Sequence, residues 1–238
     1  MASHFVRWSL TDANIPLHRL SRQVTEAAQT LPERRRMRFL ASRMLLAETM
    51  LRLYGIPQLP ALTAALNGRP RFADPDLPDF SIAYAGNIIG VLLAEEGTCA
   101  GLDMEIVRAH SRQTLEQYSR EISSGEKAWA QAQADPVEAA TQLWTLRQSI
   151  LKLTDDKAKE SLRLHPASGR LRSLLLPDIE AISDVEPLIV WSCALSPGCE
   201  RLSLWEFAEN NWKGLSSKSM GPRTLRLTSL PPEKLAHF

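Results

Sequence analysis

Residues 80–106 constrain the fold more than any other stretch of this chain. Phe80, Ile82 and Tyr84 alternate with Ser81, Ala83 and Ala85, and a period of two marks a strand with two unlike faces. Gly86-Asn87 turns the chain, residues 88–93 return as an apolar run, and Glu95-Glu96-Gly97 turns it again. Leu102, Met104 and Ile106 then alternate with Gly101, Asp103 and Glu105. Three strands joined by short turns predict an antiparallel meander. An all-helical chain is excluded.

Helical patterns flank this segment. Thr30 and Glu33 fit a capping box, with Pro32 tolerated in the first turn, and apolar Met37, Leu40, Met44, Leu45 and Leu51 follow as one buried stripe of helical period. Gly55 and Pro57 supply the stop. Asn67-Gly68 predicts a turn between extended segments. Ser123 and Glu126 fit a second capping box, and Asp135-Pro136-Val137-Glu138 opens a third helix expected to reach about Thr154. Strand-like runs return at 188–195 and 202–207, and from about Asn210 the chain turns basic and Pro-containing, ending Leu230-Pro231-Pro232. The order of helix, strands, helices and strands predicts an α+β fold. Its expected parts are an N-terminal half over 1–100, a C-terminal half over 101–209, and a surface tail over 210–238.

Charge and composition exclude several classes. The chain has 238 residues, 28 Lys+Arg against 27 Asp+Glu, a net charge of +1 and a pI near 7.8. A nucleic-acid binder usually carries a strong basic excess, so none is expected as partner. With 44% apolar residues the chain is not disordered throughout. Cys99, Cys193 and Cys199 form no C-x-x-C pair, which speaks against a disulfide scaffold or a structural zinc site. The first ten residues lack the apolar core of a signal peptide, and the apolar run at 88–94 is too short to span a bilayer. A cytoplasmic, membrane-free protein is expected.

Several constellations have chemical potential. Asp103 and Glu105, two apart on one strand, share a face. Such a pair suits Mg²⁺, which takes one or two carboxylates and fills its octahedron with phosphates and water, although D-x-E also occurs on ordinary solvent faces. Gln148 and Lys152 share a helix face, and Lys152 suits a phosphate. The arginines at 34–38 form a phosphate patch, a partner's docking face or a solvated helix face, and Arg36 and Arg43, seven apart, share one side of the helix. Arg69 sits in a turn, Tyr84 on an alternating strand, and Glu126 at a helix start. Nucleophile-elbow, Walker A, H-E-x-x-H and dinucleotide patterns are absent from the sequence.

Taken in order, R-F-L-A-S-R-M-L-L (38–46), N-G-R-P-R-F (67–72), F-S-I-A-Y-A-G (80–86), G-L-D-M-E (101–105), S-S-G-E (123–126) and W-T-L-R-Q-S-I-L-K (144–152) resemble the 4′-phosphopantetheinyl transferase superfamily, the larger surfactin-synthetase-activator type. The resemblance covers roughly residues 34 to 152. It implies a pseudo-twofold pair of α/β subdomains, each a small mainly antiparallel sheet on helices, with the site between them. It also implies transfer of phosphopantetheine from coenzyme A to a serine of an apo acyl or peptidyl carrier protein, by a monomer. Asp103 and Glu105, with Gln148, would hold Mg²⁺. Arg36, Arg43, Arg69, Tyr84, Arg147 and Lys152 would meet coenzyme A, and Glu126 would take the serine proton, with Lys152 assisting.

The chain departs from the family where Ala83-Tyr84-Ala85 replaces Ser-His-Ser and Arg147-Gln148 replaces Lys-Glu. Tyr cannot become a cation near neutral pH, and Gln removes a negative charge beside the metal. These changes leave open a family member that binds coenzyme A or a carrier without transfer.

Overall fold

The N-terminal strand β1 (Ser3–Ser9) pairs on one side with a strand almost two hundred residues later, and this closes the first sheet. The computed structural model describes residues 2–11, 15–107, 112–154, 162–174, 176, 178–198, 201–208, 211–215 and 221–229. After β1 come α1 (Arg22–Gln29), α2 (Glu33–Tyr54), the small hairpin β2 (Leu62–Ala64) and β3 (Pro70–Phe72), then β4 (Phe80–Ala85), β5 (Ile88–Leu93) and β6 (Cys99–Ile106). Helices α3 (Arg112–Glu121), α4 (Ser124–Gln131) and α5 (Pro136–Leu151) follow. The rest is β7 (Arg163–His165), β8 (Arg170–Arg172), β9 (Glu180–Val185), β10 (Ile189–Ser196), β11 (Leu202–Ala208), β12 (Asn211–Leu215) and β13 (Leu225–Ser229).

A five-stranded sheet has the order β12-β11-β1-β5-β4, and a six-stranded sheet the order β6-β10-β9-β13-β8-β7. Helix α2 covers one face of the first, with Met44, Leu45 and Met50 packed with Val6, Ile89 and Val91. Helix α5 covers the second, with Leu143, Leu146 and Ile150 packed with Ala181, Ala194 and Leu227. The remaining faces meet each other through Phe5, Leu92, Leu102, Met104, Trp191 and Leu195. The α+β class expected from the element order is what the structure has. Each fully buried Val, Leu, Ile or Met side chain among these contributes about 1.5–3 kcal/mol relative to exposure.

The expected meander is corrected in its third strand. β4 and β5 form the antiparallel hairpin, but β6 pairs with β10, and the far edge of β5 belongs to β1. Gly90 shows why. A Cβ there would lie 2.9 Å from Met104 Sδ and 3.0 Å from Leu102 Cδ2, so β6 crosses the face of β5 rather than lying beside it.

Three further expectations change. Thr30 does not cap α2: it closes α1, donating its hydroxyl to Ala27 O, while α1 opens at Ser21 and α2 starts directly after Pro32. Residues 211–215 and 225–229 are not a surface tail; β13 lies inside the six-stranded sheet with Leu227 fully buried, whereas Leu230-Pro231-Pro232 falls outside the described residues. The sheets also ignore the boundary at residue 101, because β11 and β12 complete the sheet built on β1. Gly55 ends α2 in the left-handed region, the Ser123–Glu126 box caps α4 as expected, and the Asp135 side chain caps α5 by accepting from Glu138 N. Among the described residues no helix is long and apolar enough to cross a membrane.

Candidate functional site at the seam between the sheets

β4 and β6 are edge strands of different sheets, and they run side by side in the same direction. Asp79 lies by Ala100, Ser81 by Leu102, and Gly86 by Ile106. Edge strands carry unpaired backbone groups that need partners. Here side chains provide them. Asp79 Oδ2 accepts from Ala100 N at 2.8 Å, Ser81 Oγ accepts from Leu102 N at 2.9 Å, and Arg69 Nη1 donates to Ala100 O at 2.6 Å. Lys152, at the C-terminal cap of α5, donates across the seam to Leu102 O and to Ile82 O.

Close approach of α5 makes this reach possible. A Cβ at Gly101 would stand 2.0 Å from Ser149 O and 3.4 Å from Lys152 Cβ, so glycine lets the last turn of α5 rest on β6. Lys152 Nζ then lies 3.9 Å from Asp103 Oδ1, and the Asp103 side chain is 15% exposed. Its other oxygen, Oδ2, is buried with no hydrogen-bond partner. Burial pushes the Asp103 carboxyl up to about 7; Lys152 pulls it back and the neighbouring Glu105 carboxylate pushes it further. Gln148 is half-buried one turn before Lys152.

An unpartnered carboxylate oxygen beside a second carboxylate is a fitting seat for a hard cation. Among the described residues there is no group of three or more His, Cys, Asp or Glu that could hold a metal ion. A Mg²⁺ ion on Asp103 and Glu105 would therefore draw its remaining ligands from water, a neutral oxygen such as that of Gln148, or a bound phosphate.

The α2 side of the seam carries positive charge. Arg43 Nη1 donates to Ser42 Oγ at 2.9 Å and to the Tyr84 hydroxyl at 3.5 Å, and its guanidinium stacks 3.9 Å from the Phe39 ring centre. Tyr84 in turn donates to Ser42 Oγ at 3.1 Å. Burial holds Arg43 below the ordinary arginine value, opposed by Tyr84. Among the described residues no carboxylate pairs with it, and its Nε is a buried donor with no partner. Arg38, read only as part of the arginine run, donates to Gly86 O at 2.5 Å and lies 5.8 Å from the Tyr84 ring centre.

The structure thus gathers Arg43, Arg69, Tyr84, Asp103 and Lys152 along one seam, with Glu105 on the same strand as Asp103 and Gln148 on the same helix as Lys152. Three expected site residues lie elsewhere. Arg36 donates to Ala28 O, Gln29 O and Leu31 O, so it closes the C-terminus of α1 rather than facing a phosphate. Glu126 and Arg147 are 0% and 1% exposed and face each other, with Arg147 Nη2 donating to both Glu126 oxygens at 2.8 and 3.0 Å. One Glu126 oxygen also accepts from Ser123 N, and Arg147 Nη1 reaches Leu162 O. A carboxylate committed to a buried guanidinium is not placed to take a proton from an incoming hydroxyl. Burial, and then Glu126, raise the neighbouring Tyr118 hydroxyl above its usual range.

Ser42, Asp79 and Ser81 were missed in the sequence. Ser81 carries a faint signal, a polar residue within an otherwise apolar strand; Ser42 and Asp79 acquire their roles only through the tertiary seam.

No protein-family model matches the chain. Two proteins named uncharacterized protein YieE, from Escherichia coli strains K12 and O6:H1 (CFT073), are each 45% identical to it over 223 residues. The match spans 90% of this chain and 88% of each relative.

Proposed function

Since the chain belongs to the family of Escherichia coli YieE, we propose that it acts in that family as a Mg²⁺-dependent 4′-phosphopantetheinyl transferase of the cytoplasm, moving phosphopantetheine from coenzyme A to a serine of an apo carrier protein. The observation that carries the reading is the pairing, at one seam, of a carboxylate lacking a partner on one oxygen with two cations. Asp103 Oδ2 is buried and unsatisfied, Lys152 lies 3.9 Å from its other oxygen, and Arg43 is held by neutral hydroxyls. A ligand carrying phosphates and a divalent ion supplies a cation for the Asp103 oxygen and acceptors for the Arg43 guanidinium.

In this reading Arg43 and Lys152 bind and orient the diphosphate, and Arg69, ion-paired with Asp79 at 3.6 Å, braces the start of β6. Asp103 and Glu105 hold the ion, which when bound supplies charge neutralisation on the phosphoryl oxygens. Fixed donors of this kind stabilise charge that grows in the transition state without reorganising. The serine oxygen bonds to the β-phosphorus, the bond to the bridging oxygen breaks, and adenosine bisphosphate leaves. The serine proton passes to solvent water, since Arg147 occupies Glu126, and the bridging oxygen leaves with its electron pair on adenosine bisphosphate.

The test is the intact mass of apo acyl and peptidyl carrier proteins after incubation with the protein, coenzyme A and Mg²⁺. A phosphopantetheine adduct that EDTA prevents is expected; no adduct on any carrier removes the reading. The sequestration of Glu126 favours one alternative, a family member that binds coenzyme A or a carrier without transfer. Calorimetric coenzyme A binding with no adduct, unrescued by Gln148→Glu, would establish that alternative.

A further inference from the structure

Lys152 stands where two kinds of ligand have to be reconciled. Its ammonium donates to Leu102 O on β6 and, at 3.5 Å, to Ile82 O on β4, and it lies 3.9 Å from Asp103 Oδ1. These contacts fix it over the carboxylate whose second oxygen has no partner. A divalent ion bound by a carboxylate sits about 2.0–2.1 Å from the oxygen if it is Mg²⁺. An ion on Asp103 therefore comes within a few ångströms of the ammonium, and like charges at such range repel strongly in a partly desolvated setting. Retreat would cost the ammonium its bonds to the two edge strands. A polyanion resolves the conflict, since its oxygens accept from the ammonium and bind the ion at once.

We propose that Lys152 makes divalent-ion binding and polyanion binding at this seam mutually dependent. In the free protein the ammonium serves as the built-in counter-cation of Asp103 and discourages a divalent ion. A diphosphate group, by neutralising the ammonium, opens the carboxylate to the ion. Coupling between two ligands is reciprocal, so the ion raises diphosphate affinity by the same factor. The inference rests on Asp103 and Glu105 as the ion's seat, part of the reading above, and requires no transfer step.

Calorimetry on the full chain tests it with three titrants: Mn²⁺ alone, inorganic pyrophosphate with EDTA, and the preformed Mn²⁺–pyrophosphate complex. Electron paramagnetic resonance counts the bound Mn²⁺. The wild-type protein should bind the complex on the order of tenfold or more tighter than either component, within the usual range of coupling. Lys152→Met should bind Mn²⁺ alone about tenfold tighter than wild type, and the complex should lose its advantage. Lys152→Arg, which keeps the charge, should retain the coupling, and Asp103→Asn placed on Lys152→Met should abolish the Mn²⁺ signal.

Equal wild-type affinity for Mn²⁺ alone and for the complex overturns the proposal, and this comparison needs no variant should Lys152→Met fail to fold. Unchanged Mn²⁺ affinity in a folded Lys152→Met also overturns it, as does the absence of bound Mn²⁺ with every titrant. Coupling without a carrier adduct keeps this inference and removes the transferase. A carrier adduct formed by a protein whose Mn²⁺ affinity ignores Lys152 does the reverse.

Discussion

Arg147 Nη2 meets both oxygens of Glu126 at 2.8 and 3.0 Å, and neither side chain is more than 1% exposed. The pair ties α4 to α5 immediately before the turn that carries Gln148 and Lys152. Breaking one partner of a buried pair leaves an uncompensated charge, which typically costs about 3–5 kcal/mol. Glu126→Gln and Arg147→Met should each lose stability on that scale in urea unfolding. The double variant Glu126→Leu/Arg147→Met should lose less than the sum of the two. A single variant within about 0.5 kcal/mol of wild type, the range of ordinary surface changes, would deny the pair its structural role.

Gly101 is the point of closest approach between α5 and β6. A methyl group there would meet Ser149 O, a backbone atom, at 2.0 Å, so relief requires the helix end to move. Overpacking usually costs about 1–3 kcal/mol, and backbone contact places Gly101→Ala at the upper end. Denaturation measures that loss. Because Lys152 rides on the displaced turn, the affinity for pyrophosphate should fall as well; a variant that keeps both properties would mean that the helix end is compliant.

Metal dependence separates two substitutions. Gln148→Glu adds a carboxylate one turn before Lys152 and should lower the Mg²⁺ concentration needed for half-maximal transfer. Asp103→Asn should abolish the Mg²⁺-dependent adduct while leaving the fold intact, since it removes a charge from a buried oxygen that lacks a partner. Circular dichroism and thermal melting check the fold, and carrier mass checks the reaction. Normal transfer by Asp103→Asn would eliminate the ion's assigned seat.

Acid should weaken the β1–β11 junction through His4. Trp205 Nε1 donates to His4 Nδ1 at 3.0 Å, which requires that nitrogen to be unprotonated. Burial, with Arg201 adding to it, holds the His4 pKa below its ordinary value. The unfolded chain therefore takes up the proton first, and stability is lost as pH falls through about 6.5, the unfolded value. The drop in melting temperature between neutral and mildly acidic buffer should be smaller in His4→Gln than in wild type. An identical drop in both proteins would clear His4 of the effect.

The local signals in the chain were readable where one short motif has one outcome. Asp135-Pro136 and Ser123–Glu126 cap helices because the groups that satisfy each other are neighbours in sequence. Thr30–Glu33 has the same spelling and fails, because Thr30 is already spent on closing α1 and Pro32 carries the chain into α2. The alternation in 99–106 correctly reports a strand but not its partner, which depends on the missing side chain at Gly90 and on the arrival of β10. The short alternation Leu225–Leu227 was overlooked under the basic, Pro-containing composition around it, yet Leu227 is buried in the sheet core. Strand spacing alone places Asp103 and Glu105 on one face of β6, where the structure leaves Asp103 Oδ2 buried without a partner. The commitments of Arg36, Glu126 and Arg147 were illegible, since each depends on groups brought near by folding.

Both sheets wait for late-made strands. β1 has its parallel neighbour at 202–208, almost two hundred residues later in the chain, and the middle of the six-stranded sheet is filled by 225–229. A nascent chain that has made everything from β1 through α5 to β10 still presents open edges on β1 and β9. Such edges are templates for mispairing while they stay empty. The sheets that flank the β4–β6 seam are thus complete only after residues 225–229 have been made. Holding the seam by side chains, rather than by a ladder of backbone bonds, lets it assemble by docking after the sheets have closed.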